Sequence, residues 1–444
     1  MRVIQFDVFA AIENDAAYLN STALLFAIFQ VYLVLIWFPA LLDIGDTGVG
    51  LGIAPVAIGL LLLLPVGRIK SVRFTHEAHR TVLVFMACLA ALSLLSYFSF
   101  FHAENKFRVG RPLLTYLQGF YVFAVIYAVM DRIRERRILN MLSVLAVLLS
   151  CAAASSYFVP QLGEIFFHGR DRTAAFFKNP NQFGIVLSCV APIHLARGLL
   201  VRHWRFLNLT GYAIIGFALI ASGSKTNLIL YSASGIGLMV VSAMMSGSFA
   251  KSAGLLFRNL LLIAVLALPA FTVLQSFNPR AAGTLAHFAT AQEAVTVSQR
   301  FILWKHGIDT GMQNPWLGEG AGQLTVHPLT HEVYTHSHNL FVDYFRTLGL
   351  PGLIVIAFLV FSVLALVVRM YFRLQVDRVL PRERRATILG LMASVVTFFL
   401  SNQLSDSFGP STTPFFWVVL VLLIYNAQIL LDSSNSGTRS WVKK

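Results

Sequence analysis

Of 444 residues, 57% are hydrophobic and only 12% are charged, with a net charge of +14 and a mean hydropathy of +0.71. A soluble domain carries about 25% charged residues to cover itself with water-facing groups. Half that share leaves too little polar surface, so lipid is the solvent for most of the chain. The basic residues are dispersed between apolar spans, with no separate basic domain, which argues against nucleic acid as a partner.

The first twenty residues hold Asp7, Glu13 and Asp15 ahead of any long apolar stretch, so the first helix is expected to stay as an uncleaved anchor. A bilayer crossing takes roughly 17–25 apolar residues. Spans are therefore expected near 22–43, 48–66, 81–101, 113–130, 138–159, 183–200, 206–222, 226–246, 260–276, 351–368, 386–402 and 414–432. The fold class is all-α: a polytopic integral membrane protein of about 12 transmembrane helices, forming one transmembrane domain over 1–444. Cys88, Cys151 and Cys189 lie inside apolar runs without metal-ligand spacing and read as small buried hydrophobes.

With the N-terminus inside, about two-thirds of the 34 Lys and Arg fall on inside segments, so both termini are expected to be cytoplasmic. One connection breaks the pattern. Residues 277–349 are expected to form a large loop on the outer face, too long to be structureless. Within it Gln299–Met312 has helical spacing, with Phe301, Trp304 and Ile308 on one face. Asn314-Pro315 stops that helix, and glycines 318, 320 and 322 make a turn. Short helices across the mouth of the bundle are expected here.

Four constellations stand out on the outer side. In Gly169-Arg170-Asp171-Arg172-Thr173, followed by Lys178-Asn179-Pro180-Asn181-Gln182, three cations sit where a helix re-enters the membrane. Asn181 can cap that helix, and the whole suits a phosphate or diphosphate at the bilayer surface. The bland reading is a snorkelling loop. Ser222-Gly223-Ser224-Lys225-Thr226 is a tight turn whose Lys225 needs water, a carboxylate or an anion, unless it is a plain interface lysine. In Ser298-Gln299-Arg300-Phe301 and onward, Arg300 can clamp a phosphate with two donors, and Trp304 and Trp316 can face a sugar ring. The last is Thr335-His336-Ser337-His338-Asn339-Leu340, where a histidine can activate a sugar hydroxyl. Two residues apart, His336 and His338 would not share a helix face. His327 and His331 complete a cluster, but no carboxylate–histidine spacing supports a metal. There is no nucleotide-binding signature, and no cofactor is expected.

Taken in order, Arg172-x-x-x-Phe176-x-x-Asn179-Pro180-Asn181, Ser222-x-Ser224-Lys225, Arg300-x-x-x-Trp304, Asn314-Pro315-x-x-Gly318-x-Gly320 and His336-Ser337-His338-Asn339-Leu340-Phe341 through Leu348-Gly349-x-Pro351-Gly352 resemble the bacterial O-antigen ligase and Wzy-type polymerase superfamily. The resemblance implies metal-independent, inverting glycosyl transfer on the periplasmic side of the inner membrane. The donor would be an undecaprenyl-diphosphate-linked glycan and the acceptor a glycan or lipid A-core hydroxyl. Membrane lipid surrounds the reaction, and a flippase and a chain-length regulator are the implied protein partners. By position, Arg172 and Arg300 would hold the diphosphate and His338 would activate the acceptor. Arg170, Lys178, Asn181, Lys225, Trp304, His336 and Asn339 would bind substrate. One departure is Lys225, where the family usually carries Arg; it keeps the charge but loses the two-pronged fork. Polymerase is preferred over ligase because no feature marks a lipid A-core acceptor site. Secondary transport is the reading from a different class, disfavoured by the near absence of charge within the spans.

Overall fold

The computed structural model describes residues 22–39, 53–63, 76–168, 172–246, 292–377, 380–404 and 408–432, with isolated positions between 254 and 283. Among these residues the chain is almost entirely helical, and nine helices are long and apolar enough to cross a bilayer. The chain opens with α1 (Thr22–Leu35), α2 (Ile53–Leu63), α3 (His76–Ser99), α4 (Gly110–Val129), α5 (Arg132–Ser155) and α6 (Pro160–Phe166). A two-residue pair, β1 (Phe167–His168) and β2 (Arg172–Thr173), precedes α7 (Pro180–Leu200), α8 (Arg205–Ala221) and α9 (Lys225–Ser246). Then come α10 (Gln292–Gln313), the pair β3 (Thr325–Val326) and β4 (Val333–Tyr334), α11 (Leu340–Val376), α12 (Arg382–Asn402) and α13 (Thr413–Asp432).

Of the twelve expected spans, nine correspond to helices long and apolar enough to cross a bilayer, while α1 and α2 fall within the expected 22–43 and 48–66, parts of which lie outside the described residues. The expected span 260–276 lies outside the described residues. Two helices sit at the centre. α7 packs chiefly on α12 and also on α8 and α9, and α13 is buried along nearly all its length. The peripheral helices keep large apolar side chains such as Leu94, Leu148 and Phe361 exposed. In water that would be a liability; in a bilayer those faces meet acyl chains. Cys88 and Cys189 are buried as expected, but Cys151 is exposed. Its apolar helix turns it toward lipid rather than toward the core.

The described part of the 277–349 connection, from residue 292, is held in place by two devices. The first is close approach: a Cβ on Gly307 would lie 2.7 Å from Val342, and one on Gly311 would lie 2.7 Å from Phe345. The Gly-x-x-x-Gly spacing therefore lets α10 lie directly on the start of α11. The second is a turn. Gly318 and Gly349 both have φ near +65°, and each Cβ position is blocked by the backbone of the other's segment. The turn is stitched to α11 by Glu319 N–H to Arg346 O (2.9 Å), Gly320 N–H to Thr347 O (3.0 Å) and Leu350 N–H to Pro315 O (2.7 Å). The helix stop at Asn314-Pro315 and the kink before Pro351 are thus one joint.

Candidate functional site

The entry to α7 is organised by Arg172. Its Nε donates to Ser222 O and its Nη2 to Asn181 Oδ1, both at 2.9 Å. Burial pushes its guanidinium below the ordinary arginine value, yet Arg stays charged throughout the working range. One side chain thereby ties β2 to the start of α7 and to the turn between α8 and α9. Asn227 locks the same turn from below. It donates to Asn181 O (3.2 Å) and Ser224 Oγ (2.8 Å), and accepts from Ser188 Oγ (3.4 Å) and Ser401 Oγ (2.5 Å).

The expected cap is corrected here. Asn179, not Asn181, caps α7, accepting from Asn181 N–H at 2.8 Å. Pro180 explains why: with no N–H and a fixed φ, it fits the first helical position, so the cap is the residue before it. Asn181 is then available to Arg172. Lys225 opens α9 and is half-buried.

The histidine segment is also not helical where the spacing argument placed it. α11 starts at Leu340, capped by Asn339, whose side chain accepts from Phe341 N–H (3.0 Å) and Val342 N–H (3.1 Å). His338 precedes the cap with φ +56°, a strained conformation for a non-glycine residue. That bend brings His336 and His338 together, ring centroids 4.5 Å apart and nearly perpendicular. The helix-face argument therefore does not separate them. Tyr334 packs its ring on the other side of His338 at 5.6 Å. Its hydroxyl donates to Glu332 at 2.5 Å, and burial, reinforced by Glu332, pushes the phenol up to about 12, so it remains a donor near neutral pH.

Beneath the histidines lies a buried arginine that the sequence reading missed. Arg346, 1% exposed, bridges Glu319 and Asp343 and donates to Gln323 O at 3.1 Å. Asp343 also accepts from Ser337 N–H (3.0 Å) and Ser337 Oγ (3.2 Å). Glu319 and Asp343 thus hold Arg346, and Glu332 holds Tyr334. The available signal was two carboxylates, Glu319 and Asp343, at a membrane boundary, which demand a cation. His327 is structural, its Nδ1 accepting from Leu329 and Thr330 N–H. Among the described residues no three His, Cys, Asp or Glu side chains converge as a metal set.

A cavity of about 350 Å³ joins these parts. Lys178 and Asn179 line it from the α7 entry, His336, Asp343 and Arg346 from the α11 entry, and Arg111 from the start of α4. Arg111 is the second residue the sequence reading missed. The N-terminal ends of α4, α7, α11 and α13 surround the cavity, and such ends carry partial positive charge. Of the expected site residues, Lys178 and His336 line it directly. Arg172 and Asn181 stand behind the Lys178 segment, and His338 and Asn339 beside His336. Arg300, Lys225 and Trp304 are half-buried but outside the lining; Trp304 packs on Phe301, ring centroids 5.0 Å apart. Arg170 lies outside the described residues.

No curated protein matches the chain. Residues 210–357, about a third of its length, match a family model described as O-antigen ligase. The matched segment runs from α8 to the kinked α11 and contains the Lys225 turn, Arg300, the glycine joint and both histidines. The family model and the motifs thus agree over this segment, which is similar to the O-antigen ligase and polymerase superfamily and lies in a chain with nine described helices long and apolar enough to cross a membrane.

Proposed function

We propose that the protein polymerises undecaprenyl-diphosphate-linked repeat units on the periplasmic face of the inner membrane. The observation that carries this reading is the cavity lined by Lys178, Arg111 and His336, with Asp343 neutralised by Arg346, and ringed by four helix N-termini. Cations and helix dipoles around one cavity favour a diphosphate and stabilise the charge that develops on it as it leaves. The acceptor hydroxyl oxygen attacks the anomeric carbon from the face opposite the diphosphate. The bond from that carbon to the diphosphate oxygen breaks, and undecaprenyl diphosphate departs. His338 takes the hydroxyl proton, oriented by Tyr334 and His336. Lys178 and Arg111 hold the diphosphate, with Arg172 and Arg300 as the further cations the resemblance implies. Asn181 fixes Arg172, while Asn339 fixes the start of α11. No metal takes part, and inversion follows from direct displacement.

Transfer of a finished glycan to lipid A-core is the second reading, favoured by the description of the matching family model. Lipopolysaccharide and exopolysaccharide banding of a deletion strain, complemented by wild type or His338→Ala, separates the two. Core plus one repeat, or loss of secreted polymer with normal lipopolysaccharide, is expected, with no rescue by His338→Ala. Uncapped core with accumulating long lipid-linked glycan indicates the ligase. Normal polysaccharide in the deletion strain contradicts both.

A further inference from the structure

At the other end of α7 lies a second, larger cavity of about 710 Å³ between α5, α7, α8 and α12. Its lining carries five arginines: Arg132, Arg136, Arg137, Arg197 and Arg384. α7 is 21 residues long, a rise of about 30 Å, so this cavity and the one described above sit at opposite faces of the bundle.

The floor is electrically closed. Arg384 donates to Glu135 Oε2 (2.5 Å) and Asn426 Oδ1 (2.7 Å), and Asn426 donates to Glu135 Oε1 at 2.6 Å. Glu383, the other carboxylate in the lining, stands 3.7 Å from His203. The walls are not closed. Among the described residues Arg132, Arg136, Arg137 and Arg197 have no salt-bridge partner. Arg197 donates only to the neutral Asn140 (3.1 Å), and the charge of Arg136 opposes its own, offset in part at longer range by Glu135 and Glu383, which already serve Arg384 and His203. Arg132, Arg136 and Arg137 are exposed, yet with Arg197 they line one half-open cavity and do not spread over an open face, and an anion there relieves their repulsion.

The rim identifies the kind of anion. Ile133, Val144 and Leu207 line the same cavity and are each more than half exposed. Trp204 stands at the head of α8, the level at which tryptophan marks a membrane interface. Arginines at the polar boundary, continuous with apolar helix faces, match an amphiphile and not a freely soluble anion. Basic pockets between transmembrane helices recognise phospholipid head groups in this way. We propose that this cavity binds the phosphate head group of an anionic phospholipid, whose acyl chains lie along the exposed apolar faces of α5 and α8.

The test titrates the purified full-length protein in detergent with phosphatidylglycerol or phosphatidylcholine and counts bound lipid by native mass spectrometry. One phosphatidylglycerol should bind about tenfold more tightly than phosphatidylcholine. Arg136→Gln with Arg137→Gln, both at exposed positions, should abolish that preference. Arg202→Gln with Arg382→Gln makes the same charge change at the same end but outside the lining, and should preserve it. Millimolar inorganic phosphate should leave the lipid in place. Equal affinity for the two lipids overturns the proposal, as does equal behaviour of the two double variants, which would mean a diffuse surface attraction. Displacement by phosphate alone overturns it too, in favour of a soluble-anion site.

Discussion

Removal of Arg346 should be felt across the whole candidate site. Truncating it strands the buried Asp343 and leaves the half-buried Glu319 without its cation, and an uncompensated buried charge costs about 3–5 kcal/mol. Arg346→Leu is expected to lower the thermal unfolding midpoint of the purified protein sharply, and Glu319→Gln to lower it less, because Asp343 still pairs with the arginine. A negligible shift for Arg346→Leu would mean the carboxylates reach water by themselves. At the α7 entry, Asn179→Ala should cost about 1 kcal/mol as a lost helix cap. Asn181→Ala should spare the cap and loosen Arg172 instead, lowering glycan transfer more than stability. Measuring both variants for unfolding and transfer checks the assignment; the reverse ranking would return the cap to Asn181.

Two loops far apart in sequence become one element at the glycine joint. Gly349→Ala would drive a Cβ to 2.6 Å from Pro315 O at a φ of +66°, costing about 1–3 kcal/mol in strain alone. It should therefore destabilise the protein and uncouple the histidine segment from α10, so transfer falls even in the folded fraction. Activity normalised to folded protein checks this; an unchanged value would mean the joint serves folding only. This part of the fold was legible in the sequence, because glycine and Asn-Pro signals are local. The helix 299–312, its stop at Asn314 and the turn at 318–322 were all readable from neighbouring residues. The pairing of Gly318 with Gly349 was not, since only three-dimensional packing sets it. The same limit hid Arg111, which starts a span some seventy residues before the Lys178 segment it joins. The local rules themselves misplaced the cap, through neglect of Pro180, and misjudged the histidines, by treating a pre-helical bend as helix.

For the molecule as a whole, the proposed orientation puts the 350 Å³ cavity outside and the arginine-lined cavity inside. Single cysteines at exposed Thr330 and Arg137, in a background lacking Cys88, Cys151 and Cys189, should separate cleanly. A membrane-impermeant maleimide should label position 330 in intact spheroplasts and position 137 only after lysis; the opposite result would invert the topology. The most direct measurement is reconstitution of the purified protein with an undecaprenyl-diphosphate-linked repeat unit in the presence of a chelator. Elongated glycan with release of free undecaprenyl diphosphate, lost in folded His338→Ala, is the expected result. No elongation by folded wild-type protein, or elongation that His338→Ala retains, would contradict a polymerase working through that histidine.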